Sequence, residues 1–288
     1  MNRLKSSVAL LMLAGALTTP VPACINTFAS EIQLYRINGR AAELKAAIAG
    51  VEAKYAREPT LENSNDLAVG RILQGRYPEA IELLREVEAK YPGKAIVAAN
   101  LGTALELAGQ NSEALKWIRT GVQRDPGEHN GTEWLHVMIL EAKVGMEKNP
   151  AWLQGRGVLG LDFGADPQPR SPKYPIELQG APRDEKAIGT ALSYQLGERT
   201  KFVAPPDPIV SDLYLALASL SHAHYLVVAT SKAKLPAGEL LFIDKLYQAA
   251  SWYGSADAAL IDARRNQLVK DFPAAFAGSD APPGVTKP

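Results

Sequence analysis

Gly75-Arg76-Tyr77-Pro78-Glu79-Ala80 opens a segment that closes with Val87-Glu88-Ala89-Lys90-Tyr91-Pro92. At an offset of 34 residues, Gly109, Ala114 and Pro126 occupy the positions of Gly75, Ala80 and Pro92. Leu67 aligns with Leu101 at the same offset, and Leu84 with Ile118. A period of this length is one supersecondary unit, here a helix, a turn and a second helix. Gly102 and Ala114 are small enough to let the two helices of a unit approach closely. Leu101, Leu105 and Ile118 fill the space between them, and Pro126 ends the second helix. One such unit cannot bury its apolar stripe alone, so neighbours stack into a solenoid.

The pattern resembles the tetratricopeptide repeat. Residues 95–128 carry it best, through Leu101-Gly102, Leu105, Gly109, Ala114, Ile118, Gly121 and Pro126. Residues 61–94 follow, with Arg71 in place of the usual aromatic and Ala68 in place of the usual Gly. Upstream, Gly39-Arg40 and Val51 to Tyr55 repeat Gly75-Arg76 and Val87 to Tyr91 at an offset of 36, which reads as a degenerate capping unit. The expected fold is all-α: a short solenoid over 24–150, a connector over 151–207 with one short helix, a C-terminal helical region over 208–276, and a disordered tail over 277–288. The resemblance implies a non-catalytic protein-interaction module with a concave groove lined by the first helix of each unit. In that register the groove-facing candidates are Asn65, Val69, Ile72, Ala99, Asn100, Thr103 and Glu106. The Lys/Arg clamp that grips a C-terminal carboxylate in some members is missing at these positions. So mixed a groove suits an apolar or neutral segment better than an acidic tail.

Outside the repeats, Thr132 to Glu147 has Trp134, Val137, Met138, Glu141 and Val144 at helical spacing. From Pro167 to Pro208 come eight prolines in 42 residues, the composition of a turn-rich connector. Just before this stretch, Val158 to Phe163 is too apolar to float, and the expectation is that it lies extended against the solenoid. Helices resume at Pro208, and Glu239 to Phe272 reads as a final hairpin, with Gly254 and Ala259 spaced as Gly75 and Ala80 are.

The chain's first residues point to export. Arg3 and Lys5 precede an apolar run from Val8 to Leu17, and Pro20 to Ala23 supplies a helix break and small residues before a cut. This is the pattern of a secretory signal over 1–23. Val21-Pro22-Ala23-Cys24 resembles the bacterial lipobox, in which the Cys is lipidated and becomes the new N-terminus. Pro22 departs from it, so a soluble periplasmic protein with a spare thiol stays the alternative to a membrane-anchored lipoprotein of the cell envelope. Cys24 is the chain's single cysteine, which excludes a disulfide framework and Cys-based zinc modules. The 31 basic and 31 acidic residues supply no surplus charge for neutralising nucleic-acid phosphates.

Motifs that spell catalysis fail in context. Gly155-Arg156-Gly157-Val158-Leu159-Gly160 fits a Gly-rich nucleotide loop and Asp162-Phe163-Gly164 a kinase tripeptide, but a single residue separates them and a helix precedes them. Ser231-Lys232-Ala233-Lys234 matches S-x-x-K without its companion motifs. His222 and His224, two apart on a helix, cannot share a metal. No cofactor or metal site is expected. Two rival readings stay open: an envelope enzyme with its site in 155–208, and a structural protein whose groove is filled by its own connector. The partner protein itself is not legible.

Overall fold

The computed structural model describes residues 25–29, 41–231, 235–254 and 257–277. The expected signal over 1–23, Cys24, Lys232 to Lys234 and the tail from 278 on lie outside the described residues.

The repeat period becomes two helical hairpins. After α1 (Ala41–Arg57) come α2 (Leu61–Leu73) and α3 (Tyr77–Lys90), then α4 (Ala95–Leu107) and α5 (Asn111–Arg124). Gly75 and Gly109 stop α2 and α4 in the same way. Both have positive φ, 74° and 77°. Beside each, the next amide closes a six-residue loop: Arg76 N–H to Arg71 O at 2.9 Å, and Gln110 N–H to Leu105 O at 2.8 Å. Only glycine adopts that backbone without strain, which is why it recurs at this offset. Within the second hairpin the contact is tightest at Gly102, where an added Cβ would lie 2.5 Å from Ile118 Cδ1 and 3.1 Å from Ile118 N. Ala114 is fully buried opposite.

A single turn, α6 (Glu128–Gly131), leads into α7 (Glu133–Lys148). α7 is the seam of the molecule. Val137 and Leu140 join the core of the repeats, while Trp134, Leu135, Ile139 and Ala142 join a second core. That second core is built by a short hairpin, β1 (Ile176–Leu178) paired antiparallel with β2 (Ala181–Arg183), and by α8 (Glu185–Arg199), α9 (Pro208–Thr230), α10 (Ala237–Trp252), α11 (Ala258–Asp271) and α12 (Pro273–Phe276). The all-α expectation holds, with this two-stranded sheet as its one departure among the described residues. α9 starts where a helix should, with Pro208 in its first turn and Asp207 accepting Val210 N–H at 2.8 Å. It is long and apolar enough to cross a membrane, yet 56% of its most apolar window is buried among the other helices.

The connector departs from expectation. Val158, Leu159 and Phe163 are buried, but in the C-terminal core rather than along the repeats. The reason is polar: Val158 N–H donates to Asp212 of α9 at 2.7 Å, and Arg264 of α11 donates to Gly164 O at 2.6 Å. These bonds satisfy the backbone of a Gly-rich turn that would otherwise be buried unpaired.

Candidate functional site

All seven residues expected to face an open groove are buried. They fall into three sets. Val69 and Ile72 belong to the repeat core, and the backbone of Ala99 lies at the close approach of α4 to Gly121 on α5. Asn65 and Asn100 hold another stretch of chain. Thr103 and Glu106 face the end of α8. The molecule covers this face itself: residues 25–29 lie over one part, and the end of α8 with Phe202, inside the 151–207 connector, lies over the other.

The first cover is the segment 25–29. Asn26 N–H donates to Asn100 Oδ1 at 2.9 Å, and Asn26 C=O accepts from Asn100 Nδ2 at 2.7 Å and Asn65 Nδ2 at 2.9 Å. The second proton of Asn100 Nδ2 goes to Asn65 Oδ1 at 2.8 Å, so the two amides orient each other. Asp66, beside Asn65 on α2, accepts Thr27 Oγ1–H and Phe28 N–H at the same oxygen, each at 2.6 Å. Burial pushes the Asp66 carboxyl up, while these hydrogen bonds pull it back. Glu128 at the start of α6 takes the side-chain amide of Asn26. Ile25 is fully enclosed in the repeat core, and Phe28 is half exposed. Helices α2 and α4 and the turn α6, one from each successive unit, thus grip five residues of chain, largely by its main-chain groups.

The second cover is ionic. Glu106 lies at the centre of a buried cluster, with Arg199 Nη1 at 2.6 Å and Lys143 Nζ at 2.7 Å from Oε1, and His136 Nε2 at 2.6 Å from Oε2. His136 Nδ1 is 2.8 Å from Glu133 Oε1, and His129 Nδ1 is 2.7 Å from Glu133 Oε2. Burial alone would raise the Glu106 carboxyl, but Arg199, Lys143 and His136 together hold it well below the usual range. Burial would likewise raise Glu133, which His129 and His136 hold far down. The two imidazoles show the mirror image: burial lowers them, and the carboxylates more than reverse it. His129 sits here at a backbone cost, with φ 52° and its neighbour Asn130 at 58°. Phe202, beyond the end of α8, packs on the repeat core.

The motifs outside the repeats have structural partners. His222 is buried between Asp271, 3.0 Å away, and Tyr247 OH, 3.2 Å away, while His224 pairs with Glu185 at 2.8 Å. A cleft of ≈520 Å³ runs along Gly155 to Ala165, with Asp212, Asp257 and Arg264 in its walls. Burial pushes the Asp212 carboxyl up to about 6, against the pull of the Val158 amide. Arg264 is committed to Ser219 Oγ and to Gly164 O. The Asp162-Phe163-Gly164 tripeptide is a turn closed by Gly164 N–H on Asp162 Oδ1. Among the described residues, no His, Cys, Asp and Glu cluster has the form of a metal site.

Fold and site together define a class of protein: a helical-repeat solenoid whose first helices hold another stretch of its own chain. The family follows from comparison with known families. Residues 71–131, from the end of α2 through the turn at Gly131, match the model of the tetratricopeptide repeat. This part of the chain is a tetratricopeptide-repeat segment, a module that generally mediates protein–protein interaction and is typically non-catalytic. Asn100 and Glu106 lie inside the matched span; Asn65 and Asp66 precede it. Among curated proteins, none matches the chain.

Proposed function

We propose that this chain is a non-catalytic interaction module of the bacterial cell envelope, exported by its N-terminal signal, which binds a segment of a partner protein on the concave face of its repeats. The observation that carries the reading is the hold of Asn65 and Asn100 on both main-chain groups of Asn26. Side chains that read an amide and a carbonyl recognise polypeptide as such. The sequence supports the export step through Arg3, Lys5 and the apolar run to Leu17. In the anchored version, acyl chains on Cys24 hold the protein at a membrane.

Crosslinking in envelopes, followed by pull-down and mass spectrometry, tests the binding step with wild type beside Asn65→Ala/Asn100→Ala. A partner captured by the wild type and lost from the double variant supports the reading, and identical captures contradict it. Intact mass tests the anchor: a native protein with the mass of residues 24–288 and no lipid leaves export standing and removes the anchor.

A second reading has its own observation. Because Ile25 to Ala29 already lie on the concave face, a scaffold that fills its own groove fits the same geometry. In that case the double variant loses stability and no partner.

A further inference from the structure

We propose that the concave face is a site for an uncharged or basic polypeptide segment of the pattern apolar–amide–hydroxyl, and that residues 25–29 are its resident, displaceable occupant. This rests on the interaction-module reading above and names both the ligand's chemistry and what regulates access to it.

The pattern follows from which contacts depend on side chains. At position 26 the repeats hold the N–H and the C=O, and at position 28 the N–H, groups that any residue except proline offers. Four positions are read by side chain: Asn26 gives its amide to Glu128, Ala29 is buried in the repeat core and leaves room for a small residue, and Ile25 and Thr27 complete the set. Ile25 is wholly enclosed among apolar neighbours, so that place wants an apolar residue. Thr27 donates its hydroxyl to Asp66, so that place wants a hydroxyl donor. Phe28 is half exposed and imposes little. Charge is selected by Asp66 and Glu128, both turned to the segment, which disfavour a carboxylate on the incoming chain.

The same inventory makes the segment replaceable. Its removal strips partners from Asn100 Oδ1, Asn65 Nδ2 and the Asp66 carboxylate at once, and another main chain in the same register restores them all. In sequence, residues 30–40 separate the segment from α1 at Ala41, so occupant and face belong to one chain. Such an occupant lowers the apparent affinity for an outside segment by the fraction of time that the face is free.

The test uses the chain from Cys24 onward and a fluorescent, end-capped Ile-Asn-Thr-Phe-Ala peptide, read by anisotropy. Ile25→Asp puts a carboxylate at an enclosed position and should expel the segment. The expected result is binding about tenfold tighter or more to this variant than to wild type, and its loss when Asn100→Ala is added. A peptide with Asp for Ile, or Val for Thr, should bind about tenfold more weakly than the parent peptide. Should Ile25→Asp fail to fold by circular dichroism, Thr27→Val in the chain takes its place with the same direction expected. Equal binding of all three peptides overturns the pattern but leaves the concave-face reading intact. No binding by a folded, opened variant overturns displaceability and makes the segment part of the core. A wild-type dimer dispersed by the peptide in sedimentation overturns occupancy within one chain in favour of exchange between copies.

Discussion

The concave face of the repeats and the C-terminal core are filled in different ways. On the concave side of the repeats lie Asn65, Asp66, Asn100, Glu106, Glu133, His136 and Arg199, all buried and bonded to one another or to residues 25–29. In the C-terminal half, the space between α7, α9, α10 and α11 is filled by Trp134, Leu213, Leu220, Ile243, Tyr247 and Leu268. An apolar interior is held by area and shape and tolerates change in proportion to the volume lost. A polar one is held by partnership, and fails abruptly when one partner goes. The lesson is that the concave face specifies a geometry of partners, while the C-terminal core specifies a volume.

The largest effects should therefore come from one residue in each half, through different mechanisms. Glu106→Ala leaves the buried Arg199 and His136, and the partly exposed Lys143, without their common carboxylate, and should cost about 3–5 kcal/mol in urea unfolding. Phe163→Ala should cost a similar 3–5 kcal/mol, as a cavity beside Arg264 in the C-terminal core. The comparison breaks if Phe163→Met is as harmful as Phe163→Ala, because an interior held by volume accepts a near-isosteric replacement at about 1 kcal/mol.

Glycine substitutions sharpen it at a smaller scale. Gly102→Ala drives a methyl into Ile118 and should cost about 1–3 kcal/mol in thermal melts, as should Ala114→Leu in the same interface. Gly189→Ala on α8 meets only a Leu220 methyl at 3.5 Å and gains helix propensity, so it should be neutral or stabilising by up to about 1 kcal/mol. Equal losses at both glycines would mean that the 34-residue register does not set the close approach.

The smallest effect is on pH dependence. His129 and His136 are raised in the fold above 6.5, so their contribution is full below that value and is lost as pH rises through their folded values. Glu106 and Glu133 are lowered from 4.5, so theirs is full above 4.5 and is lost on acidification below it. His222 in the other half is lowered, mainly by burial, and has the opposite slope to His136: its contribution is full above 6.5 and lost as pH falls. Replacing His136 with Gln should flatten the alkaline decline in melting temperature, and replacing His222 with Gln should flatten the decline on the acidic side.

Legibility follows the same division. Gly75 and Gly109, Ala80 and Ala114, and Pro92 and Pro126 could be read because a repeat writes local geometry twice. Gly102 could be read because a small residue among leucines marks a close approach. The covering of the concave face could not, since Asn26 meets Asn100 across 74 residues and Arg199 meets Glu106 across 93, and no period links them. Some signal was present. Asn65 and Asn100 are polar residues at nearly matching positions of consecutive first helices, and such a pair on a buried face demands a partner. His129, Glu133 and His136, spaced four and three apart, share one side of the path into α7 and foretold a pairing. Val158 to Phe163 was legible as packed but not as to where, because Asp212, which claims it, sits 54 residues away.

The central claim, that Asn65 and Asn100 hold residues 25–29 by the main chain, is tested most directly by hydrogen exchange of that segment in the chain from Cys24. The account predicts that the Asn26 and Phe28 amides exchange slowly in the wild type, and that Asn100→Ala returns the segment to free-peptide rates while α4 and α5 stay protected. Free-peptide exchange of both amides in the folded wild type would contradict it.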